Sequence, residues 1–364
     1  MFSNDSVKNA EACRFCWMCR HICPVAGSTG NEAWTPRARG LLVSMMEKGT
    51  EFTADIADIM YKCSLCDVCA HDCVTNFKPS CYTKEARTLA IVQGLAPKEV
   101  LQAIEKIQTT QNIYGESRTP EVTEAVANLP QEAPTLLYLG QSGGSRADAV
   151  GLAVISLLKK AGVSFTVLRE EPASGAFLEE LMGDTGDVQD QAQKAADAIK
   201  STSAKKLIVL NPHDAAMFRD QYAQWDLLPG VEVVTVTSYL AELISQGKLT
   251  PRKVSLHASL EDPCRLARGI GETQPVRDIL DALGVERKEL FLHGEMTRCC
   301  GGPVLNAHAP QVVRSMVSMR ADDARRIGSK CIITACPDCQ DIMSGCDTGD
   351  VEIMDLFTLL DQNC

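Results

Sequence analysis

The sequence predicts an all-α N-terminal part followed by a larger α/β part. The cysteines separate the two, because nine of the 17 lie from Cys13 to Cys81, none lies between Cys81 and Cys264, and eight lie from Cys264 onward. Helix signals dominate the first part, whereas short apolar segments alternate with helical periodicity from Thr135 onward. A chain of 364 residues is long enough to form more than one domain.

The overall charge restricts the classes of partner. Asp and Glu (47) exceed Lys and Arg (36), and the formal net charge of −11 argues against nucleic acid or an anionic membrane surface. No stretch approaches the roughly 18 consecutive apolar residues of a transmembrane helix, and the first residues have no export signal. We therefore expect a cytoplasmic protein, with any membrane association made through a partner subunit. In that compartment a cysteine pattern indicates metal binding or catalysis rather than disulfides.

The first part contains one cysteine motif twice, with the spacing Cys-x2-Cys-x2-Cys-x3-Cys. This is the bacterial ferredoxin run for two [4Fe–4S] cubanes, in which the fourth cysteine of each run binds the other cluster. Zinc also uses Cys-x2-Cys pairs but has no need of the third evenly spaced cysteine. We assign one cubane to Cys13, Cys16, Cys19 and Cys73, and the other to Cys63, Cys66, Cys69 and Cys23.

The segment between the two motifs predicts helices. Thr35 and Pro36 are helix-start residues, Gly49 is a stop, and an apolar-periodic segment leads into the second motif. The separation of 39 residues exceeds that of a small β-type ferredoxin, so residues 1–90 are predicted to form an α-helical dicluster ferredoxin-like domain. Residues 91–134 are predicted to be a helical linker, with helical periodicity from Ala90 to Ile107 and a turn over residues 112–116.

The α/β part reads as two related repeats, 135–250 and 251–364. Residues 207–214 lie 125 positions before residues 332–339, and residues 173–175 lie 126 positions before residues 299–301. Helices are predicted over 147–160 and 275–283. Strands are predicted over 136–139, 165–168, 206–210, 231–234, 254–256 and 331–334.

Only the second repeat has metal-type ligands. The first repeat has Ala173-Ser174-Gly175 and Asn211-Pro212-His213-Asp214 at the corresponding positions, so it cannot hold an iron–sulfur cluster. His213 and Asp214 are expected either to fill the vacated pocket with hydrogen-bonded polar groups or to bind a ligand.

The second repeat carries a longer cysteine pattern. Cys264 is followed after 34 residues by Cys299-Cys300, and after 35 more by Cys336-x2-Cys339. This pattern resembles the cysteine-rich CCG signature of heterodisulfide-reductase-type iron–sulfur proteins. Over nearly its whole length the chain resembles the D subunit of heterodisulfide reductase. It is also similar to the iron–sulfur subunits of anaerobic glycerol-3-phosphate dehydrogenase and of glycolate oxidase.

The resemblance implies a noncubane [4Fe–4S] cluster held by five thiolates, with zinc as the alternative occupant, since four of these cysteines would suffice for zinc. Adjacent thiolates can bind two irons of an extended cluster, and Gly301 and Gly302 let the backbone approach it closely. The terminal redox, or catalytic, site is then formed by Cys264, Cys299, Cys300, Cys336 and Cys339.

The function implied by the resemblance is that of an iron–sulfur electron-transfer subunit in an anaerobic oxidoreductase complex. Its expected partners are a flavoprotein dehydrogenase subunit and a second carrier, such as a ferredoxin or a quinone-linked protein. One alternative is a disulfide or thiol reductase subunit of heterodisulfide reductase type, in which substrate sulfur binds at the noncubane cluster. Another is a redox-sensing or assembly subunit whose tail cluster never turns over.

Several residues near the tail cysteines are secondary candidates. His257, His293 and His308 could relay protons or be structural, and Arg265, Arg268 and Arg298 stand beside ligand cysteines, where they would offset negative charge. We assign no metal to Cys81, Cys331, Cys346 or Cys364, and the chain has no Gly-rich dinucleotide fingerprint.

Overall fold

A computed structural model describes residues 2–75 and 77–364. Its N-terminal part is helical, as predicted. The helices are α1 (Asn4–Glu11), α2 (Met18–Ile22), α3 (Pro24–Thr29), α4 (Pro36–Glu47), α5 (Ala54–Tyr61), α6 (Val68–His71), α7 (Pro79–Val92), α8 (Lys98–Thr110) and α9 (Pro120–Ala127).

Local capping determines where the helices between the motifs begin. The Thr35 hydroxyl accepts a hydrogen bond from the Ala38 amide at 3.2 Å, and Pro36 occupies the first helical position of α4. Thr53 caps α5 in the same way through the Ile56 amide. The start of α4 is where the sequence predicts it.

The predicted continuous helical periodicity from Ala90 to Ile107 is wrong in one respect. Helix α7 ends at Val92 and α8 begins at Lys98. Gly94 has a φ of +68°, and the amides of Leu95 and Ala96 both return to the Ala90 carbonyl, which closes α7. Pro97, which has no N–H, then precedes α8.

The C-terminal part contains two parallel four-stranded sheets. The first has the order β2-β1-β3-β4, and the second has the order β6-β5-β7-β8. The strands are β1 (Thr135–Tyr138), β2 (Phe165–Thr166), β3 (Lys206–Val209), β4 (Glu232–Thr235), β5 (His257–Glu261), β6 (Glu286–Glu289), β7 (Cys331–Thr334) and β8 (Glu352–Asp355).

Helices cover both sheets, as a parallel sheet requires. Those of the first sheet are α10 (Gly140–Gly143), α11 (Asp148–Lys160), α12 (Ala176–Met182), α13 (Gly186–Ser201), α14 (Pro212–Arg219), α15 (Gln221–Gln224) and α16 (Val236–Ser245). Those of the second are a π-helix over Arg265–Ile270, α17 (Gln274–Leu283), α18 (Gly302–His308), α19 (Pro310–Arg326), α20 (Pro337–Ser344) and α21 (Leu356–Gln362).

One predicted strand is displaced along the chain. The prediction of a strand over residues 254–256 is wrong, because β5 begins at His257. The Val254 amide bonds to the Leu283 carbonyl at the end of α17, so this residue is held by a helix rather than by a strand. The residues that pack into the core are Ala258 and Leu260, and the strand ends in the buried Glu261.

The parallel sheets place the functional loops. Because the carboxyl ends of parallel strands meet at one edge, the loops after β1 and β3 lie together, as do those after β5 and β7. These loops carry Gly140, Asn211, Cys264 and Cys336. Among the described helices, none is long and apolar enough to cross a membrane.

Burial on β3 provides a test of the core. Leu207 is completely buried, whereas Leu101 on α8 is 46% exposed. We expect Leu207→Ala to lower the free energy of unfolding by about 2–5 kcal/mol, because it removes buried methyl groups and leaves a cavity. Leu101→Ala should change it by no more than about 0.5 kcal/mol. Urea unfolding of anaerobically prepared protein measures both, and equal losses would contradict the assignment of the core.

Candidate functional site

The two cysteine loops of the N-terminal part have the same unusual backbone. Two non-glycine residues in each loop have positive φ, namely Phe15 (53°) and Trp17 (70°), and Leu65 (49°) and Asp67 (57°). Such conformations cost about 1–3 kcal/mol each and are kept where a site requires them. Here they turn an amide toward sulfur, since Phe15 N–H bonds to Cys13 Sγ and Leu65 N–H to Cys63 Sγ, both at 3.4 Å.

The first thiol group lies near the protein surface. A cavity of about 120 Å³ is lined by Cys13, Cys16, Cys19 and Cys73, together with Cys69 and apolar side chains. Burial raises the pKa of Cys19 to about 11, and the neighbouring thiols of Cys13, Cys16 and Cys73 contribute to that rise. Cys16 is exposed, so this group is open to solvent.

The second thiol group consists of Cys23, Cys63, Cys66 and Cys69. It is more buried than the first group and lies beside buried arginines. Burial raises the pKa of Cys23 to about 12, and Cys66 and Cys63 act on it in the same direction, while Arg39 opposes them. Arg39 is 1% exposed and donates to the Lys62 carbonyl at 2.6 Å. Arg87, fully buried, donates to the Cys63 carbonyl at 2.5 Å.

The five tail cysteines are brought together and are each at most 7% exposed. The sulfurs of Cys264 and Cys299 lie 3.6 Å apart, and those of Cys300 and Cys339 lie 3.2 Å apart. Cys336 hydrogen-bonds to Cys339. Interactions with Cys299, and then with Cys339, hold the pKa of the Cys300 thiol well below its usual value.

Gly301 shapes the loop that carries the adjacent cysteines. Its φ is +116°, and a Cβ there would lie 2.8 Å from Val313 Cγ2. Its amide donates to Cys299 Sγ at 3.3 Å. Glycine is therefore required both by the backbone conformation and by the packing.

A contact between the head and tail cysteines has no counterpart in the sequence motifs. Cys66 and Cys299 lie in one buried cluster, and the interaction of Cys66 with Cys299 lowers the pKa of Cys66 to about 5 against the opposing effect of burial. Arg268 fixes the same junction, because it donates to the Cys66 carbonyl at 2.6 Å and to the Thr297 carbonyl at 2.7 Å. The second head group and the tail group thus adjoin each other.

The secondary candidates take different places. His257 is exposed and pairs with Glu286 at 3.0 Å, so it belongs to the surface of β5. His293 Nδ1 contacts the Leu290 carbonyl at 2.7 Å. His308 is buried between Lys62 and Asp58, with 2.9 Å to each, and so joins α18 to the head.

In the first sheet, polar groups pack directly against one another beyond the ends of the strands. The Ser174 hydroxyl donates to Asp214 at 2.5 Å. A Cβ added to Gly140 would lie 2.5 Å from Asp214 Oδ2 and 3.0 Å from Asn211 Cβ. Burial raises the pKa of Asp214 to about 7, and the Asp338 and Glu171 carboxylates add to that shift.

Two buried acids near the tail cysteines carry no motif of their own. Asp338 stands between Cys336 and Cys339, and Glu180 contacts Arg265 at 2.5 Å. A carboxylate inside a Cys-x2-Cys segment is the only signal in the sequence that could have drawn attention to Asp338.

The chemistry of the donor set fits iron–sulfur clusters. Thiols gather in groups of four or five, and backbone amides point at sulfur in three of the loops. Among residues 2–75 and 77–364, no group of three or more His, Cys, Asp or Glu side chains has the arrangement of a single-ion site.

Comparison with protein families supports the same chemistry. Residues 9–77 match the family model described as a 4Fe-4S dicluster domain, and residues 259–343 match the cysteine-rich domain called CCG. The chain therefore combines a 4Fe-4S dicluster domain with a CCG domain. It is related to iron–sulfur oxidoreductases of the heterodisulfide reductase type.

Curated relatives cover much of the chain. The D subunit of the "Dihydromethanophenazine:CoB--CoM heterodisulfide reductase" of Methanosarcina acetivorans is 25% identical over 97% of this chain and 93% of its own length. The "EtfAB:quinone oxidoreductase" of Syntrophomonas wolfei is 27% identical over 74% of this chain and 40% of its own length. The predicted resemblance to the D subunit of heterodisulfide reductase is confirmed.

A solved structure shares the fold. It is described as the "Crystal structure of a hypothetical protein from Helicobacter pylori", with a TM-score of 0.55 and 10% identity. The alignment covers 98% of this chain and 72% of that one. The whole architecture, from the dicluster domain to the end of the CCG domain, therefore aligns with one known fold.

The buried Asp214 predicts a pH dependence of stability. Its pKa is about 7 in the folded chain, against about 3.9 for an unperturbed Asp. Between these values the folded chain binds more protons than the unfolded chain, so the free energy of unfolding falls as pH rises through this window. Asp214→Asn should reduce this fall in the free energy of unfolding, between about pH 5.5 and pH 8, by on the order of 1–2 kcal/mol.

Urea unfolding at the two pH values measures this difference. Asp190→Asn, at an exposed position of α13, is the matched control and should keep the wild-type pH dependence. If Asp214→Asn kept it as well, the buried ionisation of Asp214 would not be its source.

Proposed function

We propose that this chain is the iron–sulfur electron-transfer subunit of an anaerobic oxidoreductase complex. It passes electrons between a flavoprotein partner and another carrier. The observation that carries the proposal is the contact between Cys66 and Cys299. Together with Cys69, which lines the cavity of the first thiol group, it supports a path from the exposed Cys16 to the buried tail. When bound, iron–sulfur clusters take up and release single electrons.

The ligand sets of the proposal are those of the motifs. One cubane is held by Cys13, Cys16, Cys19 and Cys73, and the other by Cys63, Cys66, Cys69 and Cys23. The noncubane cluster is held by Cys264, Cys299, Cys300, Cys336 and Cys339, with zinc as the alternative occupant. The neighbours that act on Cys19 and Cys23 support the exchange of the fourth cysteine between the two motifs.

We also propose that the α/β part arose from two repeats, 135–250 and 251–364, behind a dicluster domain over 1–90 and a linker over 91–134. Three observations support the duplication: the equal strand order of the two sheets, the offset of 125 positions, and the packing of Gly140, Ser174, Asn211 and Asp214 at one strand edge. The first repeat would thus have lost its cysteines and kept its fold.

The redox partner is proposed to dock on an apolar patch beside the first thiol group. The patch consists of Phe15, Trp17, Met18 and Val74, whose exposed fractions range from 48% to 87%. Solvent-exposed aromatic and aliphatic groups around a redox site are typical of a protein interface. One relative, the "EtfAB:quinone oxidoreductase" of Syntrophomonas wolfei, supports a flavoprotein as the partner, because its name gives EtfAB as a reaction partner. Such a partner could also attach the chain to a membrane.

Burial favours electron transfer over direct disulfide reduction. Reducing a disulfide takes two electrons and two protons and requires substrate sulfur to reach the terminal site. The five tail thiols are almost completely buried, whereas the first thiol group opens to the surface. This asymmetry supports a site that exchanges electrons with protein partners.

Iron content tests the ligand sets. Protein purified anaerobically from its host should hold about twelve irons per chain, as three [4Fe–4S] clusters require. Cys300→Ser should lower this to about eight and remove the tail signal from the electron paramagnetic resonance spectrum while both cubane signals remain. Cys364→Ser, at a cysteine outside the ligand sets, is the control and should lose no iron. About eight irons with one zinc in the wild type would refute the noncubane assignment.

A second measurement tests the docking patch. Val74→Glu places a charge on the patch, and Val92→Glu places the same charge at a comparably exposed site on α7. Because a charge in an apolar interface loses hydration without a partner, Val74→Glu should weaken binding of the flavoprotein about tenfold or more. The readout is flavin retained per chain on affinity purification. Equal retention by both variants would show that the partner docks elsewhere.

A further inference from the structure

A row of four alternating charges links two cysteine loops of the CCG domain through side chains of residues 135–250. Asp338 Oδ2 lies 3.1 Å from His213 Nδ1, and His213 Nε2 lies 3.5 Å from Glu180 Oε1. Glu180 Oε1 in turn lies 2.5 Å from Arg265 Nη2. Asp338 stands between Cys336 and Cys339, and Arg265 follows Cys264, so the row begins and ends beside ligand cysteines.

Asp338 is held entirely by the other half of the α/β part. Its side chain is completely buried. The carboxylate accepts hydrogen bonds from Ser142 Oγ and from Asn211 Nδ2, the latter at 2.8 Å, besides its contact with His213. A buried carboxylate persists only with such partners. The segment from Cys336 to Cys339, at the start of α20, is therefore fixed by residues that lie more than 120 positions earlier in the chain.

His213 lies close to the glycines of the CCG loop. A Cβ on Gly302 would be 3.9 Å from His213 Nε2, and the imidazole packs against the Phe177 ring at 5.2 Å between centroids. Burial by itself would lower the pKa of His213, but the Glu180 and Asp338 carboxylates outweigh it and raise the pKa to about 9. The ring thus lies between two carboxylates, which favour its protonated form.

The row brings opposite charges close to the tail thiols. Asp338 stands between Cys336 and Cys339, so its buried carboxylate lies next to two ligand positions. His213 Nδ1 lies 3.1 Å from that carboxylate and offsets its charge. In a buried site of low effective dielectric, a single uncompensated charge acts strongly on its neighbours.

We propose that His213 and Asp338 tune the reduction potential of the cluster held by the CCG cysteines, with His213 raising it and Asp338 lowering it. The inference rests on the proposed function in one respect, that these cysteines hold a redox-active cluster. Reduction adds one electron, and therefore one negative charge, to the site. A nearby cation stabilises that added charge and a nearby anion opposes it. Both groups are positioning residues, because they act through the ligand loops.

The test is an anaerobic redox titration of the full chain, followed by electron paramagnetic resonance. At a fixed potential, His213→Gln should lower the ratio of reduced to oxidised tail cluster about tenfold, which is about 59 mV for a one-electron couple. Asp338→Asn should raise the ratio by a similar factor. The double variant removes both charges and should return close to the wild-type ratio. Iron content and the cubane signals should stay unchanged.

Two controls separate charge from structure. Ser142→Ala removes a hydrogen bond to Asp338 without changing charge, and His257→Gln changes a surface histidine; neither should shift the ratio by as much as about threefold. Shifts in the same direction for His213→Gln and Asp338→Asn, or no shift in either, would overturn the inference. His213→Gln could lose the tail cluster. If the double variant with Asp338→Asn did not regain that cluster, the inference would also be overturned.

The failure of the proposed function looks different. A wild-type chain with about eight irons and no third cluster signal would refute that function, and this inference with it. A wild type with the third signal, but variants without opposite shifts, would refute the inference alone.

Discussion

The meeting of the Cys66 and Cys299 thiols is the constraint on which the arrangement of the chain depends. It requires the second head loop to lie against the loop of the adjacent tail cysteines, and Arg268 holds both backbones there. Sulfur sites in a buried region also need cations close by. Arg39 and Arg87 meet that need by bonding the carbonyls around the second motif, and Arg87 also bonds the Glu180 carbonyl, which attaches the head to the first sheet.

Much of the fold was predictable because its signals are local. Thr35 and Pro36 start a helix through contacts within one turn, and the cysteine spacing predicts the 4Fe-4S dicluster domain that the family model matches. The errors occurred where local signals competed. Apolar periodicity continues through Gly94 and Pro97, and the apolar segment before His257 resembles a strand, although a bond to the end of α17 holds it. Tertiary contacts decided both cases.

The candidate site likewise has features that local signals predict and features that depend on tertiary contacts. The grouping of the cysteines can be predicted from their spacing, whereas the charged residues that surround the groups cannot. Cys66 and Cys299 lie 233 positions apart, and Glu180, His213 and Asp338 come from three different elements. In the sequence, a buried Glu or His in a helix cannot be distinguished from one that is exposed to solvent. Only the packing of the two sheets brings these charges together, and that packing cannot be predicted from the periodicity of the sequence.

The packing around Gly140 has a consequence for the history of the chain. A side chain at Gly140 would collide with Asp214, and Asp214 is in turn bonded to Ser174. One cysteine introduced here would meet an occupied space and find no companion ligands, so it would destabilise the fold without gaining a metal. Regaining a site would take several simultaneous changes. Under the proposed duplication, the loss of the first ligand set is therefore a one-way step, and descendants of this chain are committed to a single sulfur-rich centre in the α/β part.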